Sequence, residues 1–228
     1  MIDSKNLEQK INYQFQNQSL LKEALTHRSY LNENPSWGVP HNERLEFLGD
    51  AVLELAVTEE LFHRYPEEAE GQLTALRAAL VNYLMLAAIS REIDLGEFIY
   101  LSRGEAKDNG RAREVILANA TEALIGALYL DGGYAAAKNF TKNFVLTHLE
   151  EVIRQGLYKD AKSLLQEKIQ ASTKLTPVYR VLEEAGPEHE KIFRVGVYFG
   201  DKFIADGRGP SKQEAEQEAA RNALEKEY

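Results

Sequence analysis

The chain has no cysteine in its 228 residues, which excludes disulfides and thiolate metal sites and fits a reducing compartment. It shows no apolar leader: MIDSKNLEQKINYQFQNQ at the start is polar, so no secretory signal is visible and a cytoplasmic protein is expected. Long hydrophobic runs are also missing. The most apolar stretch, VILANATEALIGALYL from Val115, is interrupted by Asn119, Thr121 and Glu122 and reads as too polar and too short to span a bilayer, so no membrane partner is expected. Positive charge is scarce as well. The net charge is −9, with 16 basic and 23 acidic groups in residues 1–159 and 11 and 13 in 160–228. That balance argues against a generic nucleic-acid binder, because phosphate neutralisation needs Lys and Arg; such a partner has to be argued from local arrangement.

What is present suffices for real cores. A hydrophobic content of 44% over 228 residues allows one large domain or two ordinary ones. Apolar periodicity predicts helices over 19–31, 43–64, 71–91, 112–130 and 133–154, separated by Gly, Pro, Asn and Asp signals. Beyond a short join near Gly156 the pattern changes. DAKSLLQEKIQAST reads as a helix, PVYRVLEEA, KIFRVGVYFG and KFIADGRG as three strands, and SKQEAEQEAARNALEKE as a last helix with Ser211 as N-cap. The expectation is α+β overall: an all-α domain over 1–155 and an αβββα domain over 160–228.

Within HNERLEFLGDAVLELA, residues 41–56, four carboxylates line up. On a helix of about 100° per residue, Glu43, Glu46, Asp50 and Glu54 share an arc of about 80°, where each like-charged pair one turn apart costs roughly 0.2–0.5 kcal/mol. No Lys or Arg stands at a relieving spacing. A solvated acidic face is the simplest account. However, Leu45, Leu48, Val52, Leu55 and Ala56 lie opposite, Phe47 and Val57 fall in or beside the acidic arc, and Ala51 and Leu53 flank it. A helix apolar nearly all round is normally buried, and buried carboxylates without cations take up protons or cost several kcal/mol. A bound hard cation resolves that conflict.

The segment 112–130 carries a second anomaly, Asn119 and Glu122, one turn apart in a run of Val, Ile, Leu and Ala. If the two helices pack, Glu46, Asp50, Asn119 and Glu122 converge. An oxygen-only set without His or Cys suits Mg²⁺ or Mn²⁺ and phosphoryl chemistry.

HNERLEFLGDAVLEL resembles the signature stretch of the ribonuclease III family, and ALTHRSY at 24–30, EGQLTALRAALVN at 70–82 and ILANATEALIGALYLDGG at 116–133 follow in the family's order. The resemblance covers essentially the whole chain, including the bacterial arrangement of one nuclease domain and one double-stranded-RNA-binding domain. It implies Glu46, Asp50 and Glu122 as metal ligands and catalytic residues, Glu43 and Glu70 as supporting acidic residues, and Phe47 in a homodimer contact. The family usually has Asp where this sequence has Asn119. An amide oxygen still coordinates a hard cation, but one full charge is gone, and weaker metal binding is expected.

In the first helix of the second domain, Ser163, Gln166 and Gln170 form one polar face opposite Leu164, Leu165 and Ile169, either an ordinary solvated face or a reader of duplex RNA, which is recognised by shape across two minor grooves. GPEHEKIF at 186–193 and GPSKQEAEQEAARNAL at 209–224 are similar to the loop and final helix of the double-stranded-RNA-binding fold. The resemblance implies that His189 enters a minor groove and that Lys212 meets phosphate at a helix start. Gln213 replaces a second Lys common in the family, and Glu214, Glu216 and Glu218 follow, so modest, salt-sensitive affinity is expected. His27, in ALTHRSY, is read as structural. The function implied is a Mg²⁺-dependent homodimeric endoribonuclease that cuts double-stranded RNA to 5′-phosphate and 3′-hydroxyl ends. The rival is a catalytically weakened double-stranded-RNA-binding dimer, suggested by Asn119.

Overall fold

The computed structural model describes residues 4–107, 110–158, 161–187 and 191–226, leaving aside the side chains of 4 and 171–173. The chain divides into two compact units, Met1–Tyr158 and Lys159–Tyr228. The first holds helices α1 (Ser4–Lys10), α2 (Gln18–Ala24), α3 (Arg28–Glu33), α4 (Glu43–Arg64), α5 (Glu70–Val81), α6 (Tyr83–Glu92), α7 (Arg111–Phe140) and α8 (Leu149–Gln155). The second holds α9 (Ala161–Thr173), strands β1 (Pro177–Ala185), β2 (Ile192–Phe199) and β3 (Lys202–Gly209), and α10 (Lys212–Leu224).

Helix α7 is the axis of the first unit. Leu117, Ala118, Ala120, Ala123, Leu124, Ile125, Ala127 and Leu128 are all within 5% of complete burial, so neighbours surround it as its all-round apolarity requires. The chain from Arg111 to Gln155 is, by length and composition, long and apolar enough to cross a membrane, contrary to the short run anticipated from the sequence; 61% of its most apolar window lies inside the unit. Gly133 (φ 72°) kinks α7 in LDGG, a backbone region glycine enters at little cost.

Three expected helices differ. The segment 19–31 splits because Thr26 makes a bridge to Tyr100: the His27 amide donates to Tyr100 O (3.1 Å) and the Tyr100 amide to Leu25 O (2.8 Å). His27 then caps α3, its Nδ1 accepting from the Ser29 amide, so its structural reading holds. The segment 71–91 breaks at Asn82 (φ −70°, ψ 158°), whose Oδ1 accepts from the Met85 amide at 3.0 Å and starts α6 as an N-cap. Helix α8 is preceded by a π turn over Thr141–Val145 and a 3₁₀ turn over Leu146–His148. Helix α1 was not anticipated. It seats Leu7 and Ile11 in the core.

Burial of α4 is also one-sided. Leu45, Val52, Leu53, Ala56, Val57 and Leu61 face the core, whereas Phe47 is 82%, Leu55 57% and Phe62 65% exposed. Leu55, expected on the buried side, is not there.

In the second unit the strands form an antiparallel sheet in the order β1-β2-β3. Val197, Phe199, Ile204 and Ala205 pack with Leu165 and Ile169 of α9 and Ala219, Ala220 and Ala223 of α10. Small residues are required there: a Cβ on Gly207 would lie 2.2 Å from Ala219 N.

Candidate functional site

Helices α4 and α7 cross at two glycines. A Cβ on Gly49 would stand 1.8 Å from Glu122 O, and one on Gly126 2.2 Å from Leu45 O. The helices therefore touch backbone to backbone, with no room for even a Cβ at either glycine. Glu46 and Asp50 flank Gly49; Asn119 and Glu122 lie on α7 at the same level. The crossing brings together the four residues that the sequence pattern paired.

Their electrostatics follow from that proximity. Glu46 is raised above the ordinary carboxylate range by burial, then by Glu43, with Asp50 adding and the neighbouring Asn119 amide opposing. Glu122 is pushed up to about 7 by burial, then by Asp50 and Glu46. Asp50 itself is exposed, and Glu46, Asn119 and Glu122 are half-buried. Among the described residues no three His, Cys, Asp or Glu side chains gather tightly enough to form a ready-made cation site. The donor set nevertheless fits a hard divalent ion: every donor is oxygen, and crowding on Glu122 favours uptake of positive charge, as a proton or as a cation. Glu46, Asp50 and Glu122, with the Asn119 carbonyl, are the residues that could hold it.

The other two expected acids have partners of their own. Glu43 pairs with Arg28 at 3.1 Å, a cation supplied from α3 that helical spacing within α4 could not reveal. Glu70 accepts from Thr74 Oγ1 at 3.2 Å and lines a pocket of about 440 Å³ with Thr58, Leu61, Phe62, Leu73 and Arg77. Those α4 residues lie 12 to 16 positions past Glu46, or roughly 18–24 Å along the helix, so the fold of one chain does not place Glu70 beside Glu46. Phe47 borders a second cavity, about 650 Å³, with Glu23, His41, Arg44, Leu48 and Leu130.

In the second unit Ser163, Gln166 and Gln170 are exposed on one face of α9 while Leu165 and Ile169 are buried. Lys212 opens α10 and Gln213 follows it, both exposed. Ser211 caps that helix, its Oγ accepting from the Glu214 amide at 3.2 Å. Lys212 is paired with Glu184 at 3.3 Å, which the sequence did not suggest. His189 lies outside the described residues.

Sequence reasoning passed over Gly49, Gly126 and Asn42. Glycine inside a helix costs roughly 1 kcal/mol relative to Ala, so Gly49 and Gly126 were a readable sign of close approach. Asn42 is buried; its Nδ2 donates to Ala24 O at 3.2 Å and its amide to Thr26 O at 2.9 Å, fixing the first turn of α4.

A helical unit with an oxygen-lined crossing, followed by an αβββα unit with a polar helix face, defines a nuclease joined to a duplex-RNA reader. Residues 17–149 match the family described as Ribonuclease-III-like, and residues 161–227 match the Double-stranded RNA binding motif. Ribonuclease 3 of Carboxydothermus hydrogenoformans is 47% identical over 220 residues, covering 96% of this chain and 94% of that one. Ribonuclease 3 of Bdellovibrio bacteriovorus is 44% identical over 231 residues, covering 100% and 98%. Among solved structures, the nuclease domain of ribonuclease III from Campylobacter jejuni superposes with a TM-score of 0.58 at 43% identity, over 64% of this chain and 97% of that one. The chain belongs to the ribonuclease III family. It is an endoribonuclease of double-stranded RNA, and the binding-only alternative is not favoured.

Proposed function

We propose that Glu46, Asp50 and Glu122, with Asn119 as a neutral fourth donor, hold Mg²⁺, for which Mn²⁺ can substitute, and that this centre hydrolyses the P–O3′ bond of duplex RNA. The observation that carries the reading is the Gly49–Gly126 contact, which sets carboxylates from two helices against each other at a half-buried crossing. When bound, the cation supplies charge stabilisation for the displacement. The chain's own residues supply its ligands and their spacing: Asn42 anchors the first turn, the Asn119 amide orients Glu46, and Arg28 offsets the charge of Glu43. Water adds to phosphorus and the departing 3′-oxygen gains a proton, leaving 5′-phosphate and 3′-hydroxyl ends with a short 3′ overhang. Exposed Ser163, Gln166 and Gln170, with Lys212 and Gln213, present donors to the duplex, and the family resemblance assigns His189 to the same task.

The active form proposed is a homodimer. The nuclease domain of ribonuclease III from Campylobacter jejuni has a region involved in dimer formation. Phe47, Leu55 and Phe62 are exposed at intervals of eight and seven residues, about two helical turns each, so they form one apolar stripe on α4. Two-fold packing makes residue i of one chain meet j of the other and j meet i. Centred near Leu55, it would set Phe47 against Phe62 of the partner subunit and bring the Glu70 pocket toward the partner's acidic centre. The physiological setting proposed is cytoplasmic maturation of rRNA and mRNA. Purified protein incubated with a long RNA duplex, with and without Mg²⁺, tests the reading. Short duplex products only with metal are expected; intact RNA at high enzyme and Mn²⁺ would overturn it.

A further inference from the structure

The second unit holds a three-residue charge arrangement of which the function above uses only Lys212. Glu184 on β1 pairs with Lys191 at 2.8 Å and Lys212 at 3.3 Å. Both ammonium groups also lie over the ring of Phe193, 5.3 and 5.5 Å from its centroid. A β-bulge creates this geometry. Pairing runs Val181↔Val195 and then Glu183↔Arg194, so that Glu184 faces Phe193; without the extra residue Glu183 would take that place. Phe193 in turn faces Gly209, and a Cβ on Gly209 would stand 2.8 Å from Ala215 N, which seats the start of α10 beside the row. Glu183 instead acts on Arg194, which pairs with Asp206 at 2.6 Å. The two lysines hold the Glu184 carboxyl below the ordinary range, so it stays ionised.

We propose that Glu184 is an affinity-setting residue for duplex RNA: an internal counter-anion that competes with backbone phosphate for Lys212 and Lys191. The inference rests on the reading of Lys212 as a phosphate contact. Lys191, Lys212 and Glu184 together present one net positive charge where two lysines alone would present two. Each phosphate neutralised by a free cation contributes roughly 0.9 to the logarithmic salt slope of binding, so Glu184 should flatten that slope. An ammonium has three donors and can hold carboxylate and phosphate together. The carboxylate therefore need not leave for RNA to bind; its charge remains beside the phosphate and weakens the contact.

The test is binding of the full-length chain to a blunt RNA duplex of about 20 base pairs, longer than the roughly 16 such a fold spans. It is measured in metal-free buffer across a salt series, for the parent, Glu184→Gln, Glu184→Asp, Lys212→Ala and the Glu184→Gln/Lys212→Ala double variant. Glu184→Gln should bind about threefold more tightly at low salt with a slope steeper by about one. Glu184→Asp, which keeps the charge, should match the parent slope, and the double variant should lose most of the gain. Equal or weaker binding by Glu184→Gln, with Lys212→Ala still weakened, overturns the inference alone and shows that Glu184 serves to order the lysine. Parent-like affinity and slope for Lys212→Ala overturn the phosphate reading beneath it.

Discussion

Gly49 and Gly126 meet backbone to backbone, each standing where a side chain of the other helix would need room. This contact sets the distance between the two halves of the acidic centre. Gly49→Ala must push α4 from α7, and overpacking of this kind costs roughly 1–3 kcal/mol. Chemical unfolding should show a loss in that range, and cleavage should fall by more than stability explains, because Glu46 and Asp50 move away from Glu122. Parent-like stability and rate would refute the close crossing.

Glu122→Gln keeps the shape of the side chain and removes one ligand charge. Several kcal/mol of transition-state stabilisation depend on the cation, so cleavage should drop by about a hundredfold or more. Binding of intact duplex should be unchanged, since the substitution leaves every residue of the second unit as it is. A rate within a factor of two of the parent removes Glu122 from the metal site.

Phe47→Asp places a charge in the exposed apolar stripe of α4. Sedimentation should show a monomer with an unchanged circular dichroism spectrum, because Phe47 is 82% exposed and contributes little to the fold of one chain. A dimer that persists would move the interface off α4.

Asp131 ties residues 13–17 to α7 just before its kink at Gly133. It accepts from the Gln16 and Asn17 amides at 2.9 and 2.8 Å and from the Tyr13 hydroxyl at 2.8 Å. Burial pushes its carboxyl up, but these three bonds outweigh it and hold the group below its ordinary range. A depressed folded-state value contributes stability above the unfolded-state value, near 3.9, that is lost as pH falls through the folded one. Asp131→Asn should therefore lose about 1 kcal/mol at pH 7 and less near pH 3. Urea unfolding at both values checks the sign; an equal loss at both would mean that the charge plays no part.

The readable portions of the molecule were those with local causes. Spacing alone paired Asn119 with Glu122 and Glu46 with Asp50, and the change of apolar periodicity separated the helical half from the αβββα half. What sequence could not show depended on contacts distant along the chain. The break at Thr26 comes from Tyr100, and the partner of Glu43 from Arg28. The exposure of Leu55 ran against its position on the apolar side of the helix, because apolarity around a helix signals burial, whether against the same chain or against a second copy. The attachment of Lys212 to Glu184 requires a bulge that no periodicity announces.

Asn119→Asp should raise the cleavage rate and lower the Mg²⁺ concentration for half-maximal activity by about tenfold, as a net electrostatic gain. Two effects oppose each other. A new carboxylate beside a divalent cation gains on the order of a few kcal/mol even in a well-solvated dielectric. Without the cation, the variant loses the Asn119 amide, which at present counters the upward pressure on Glu46, and Glu122, already near neutrality at about 7, meets a third negative neighbour. The metal-free centre should therefore take up protons more readily, while the metal-bound centre gains more, because a doubly charged ion attracts the new group more strongly than any single carboxylate repels it. Rate against Mg²⁺ for both proteins decides the balance. Superimposable curves would mean that Asn119 is no ligand; a slower variant would mean that the centre depends on the amide as the donor that orients Glu46.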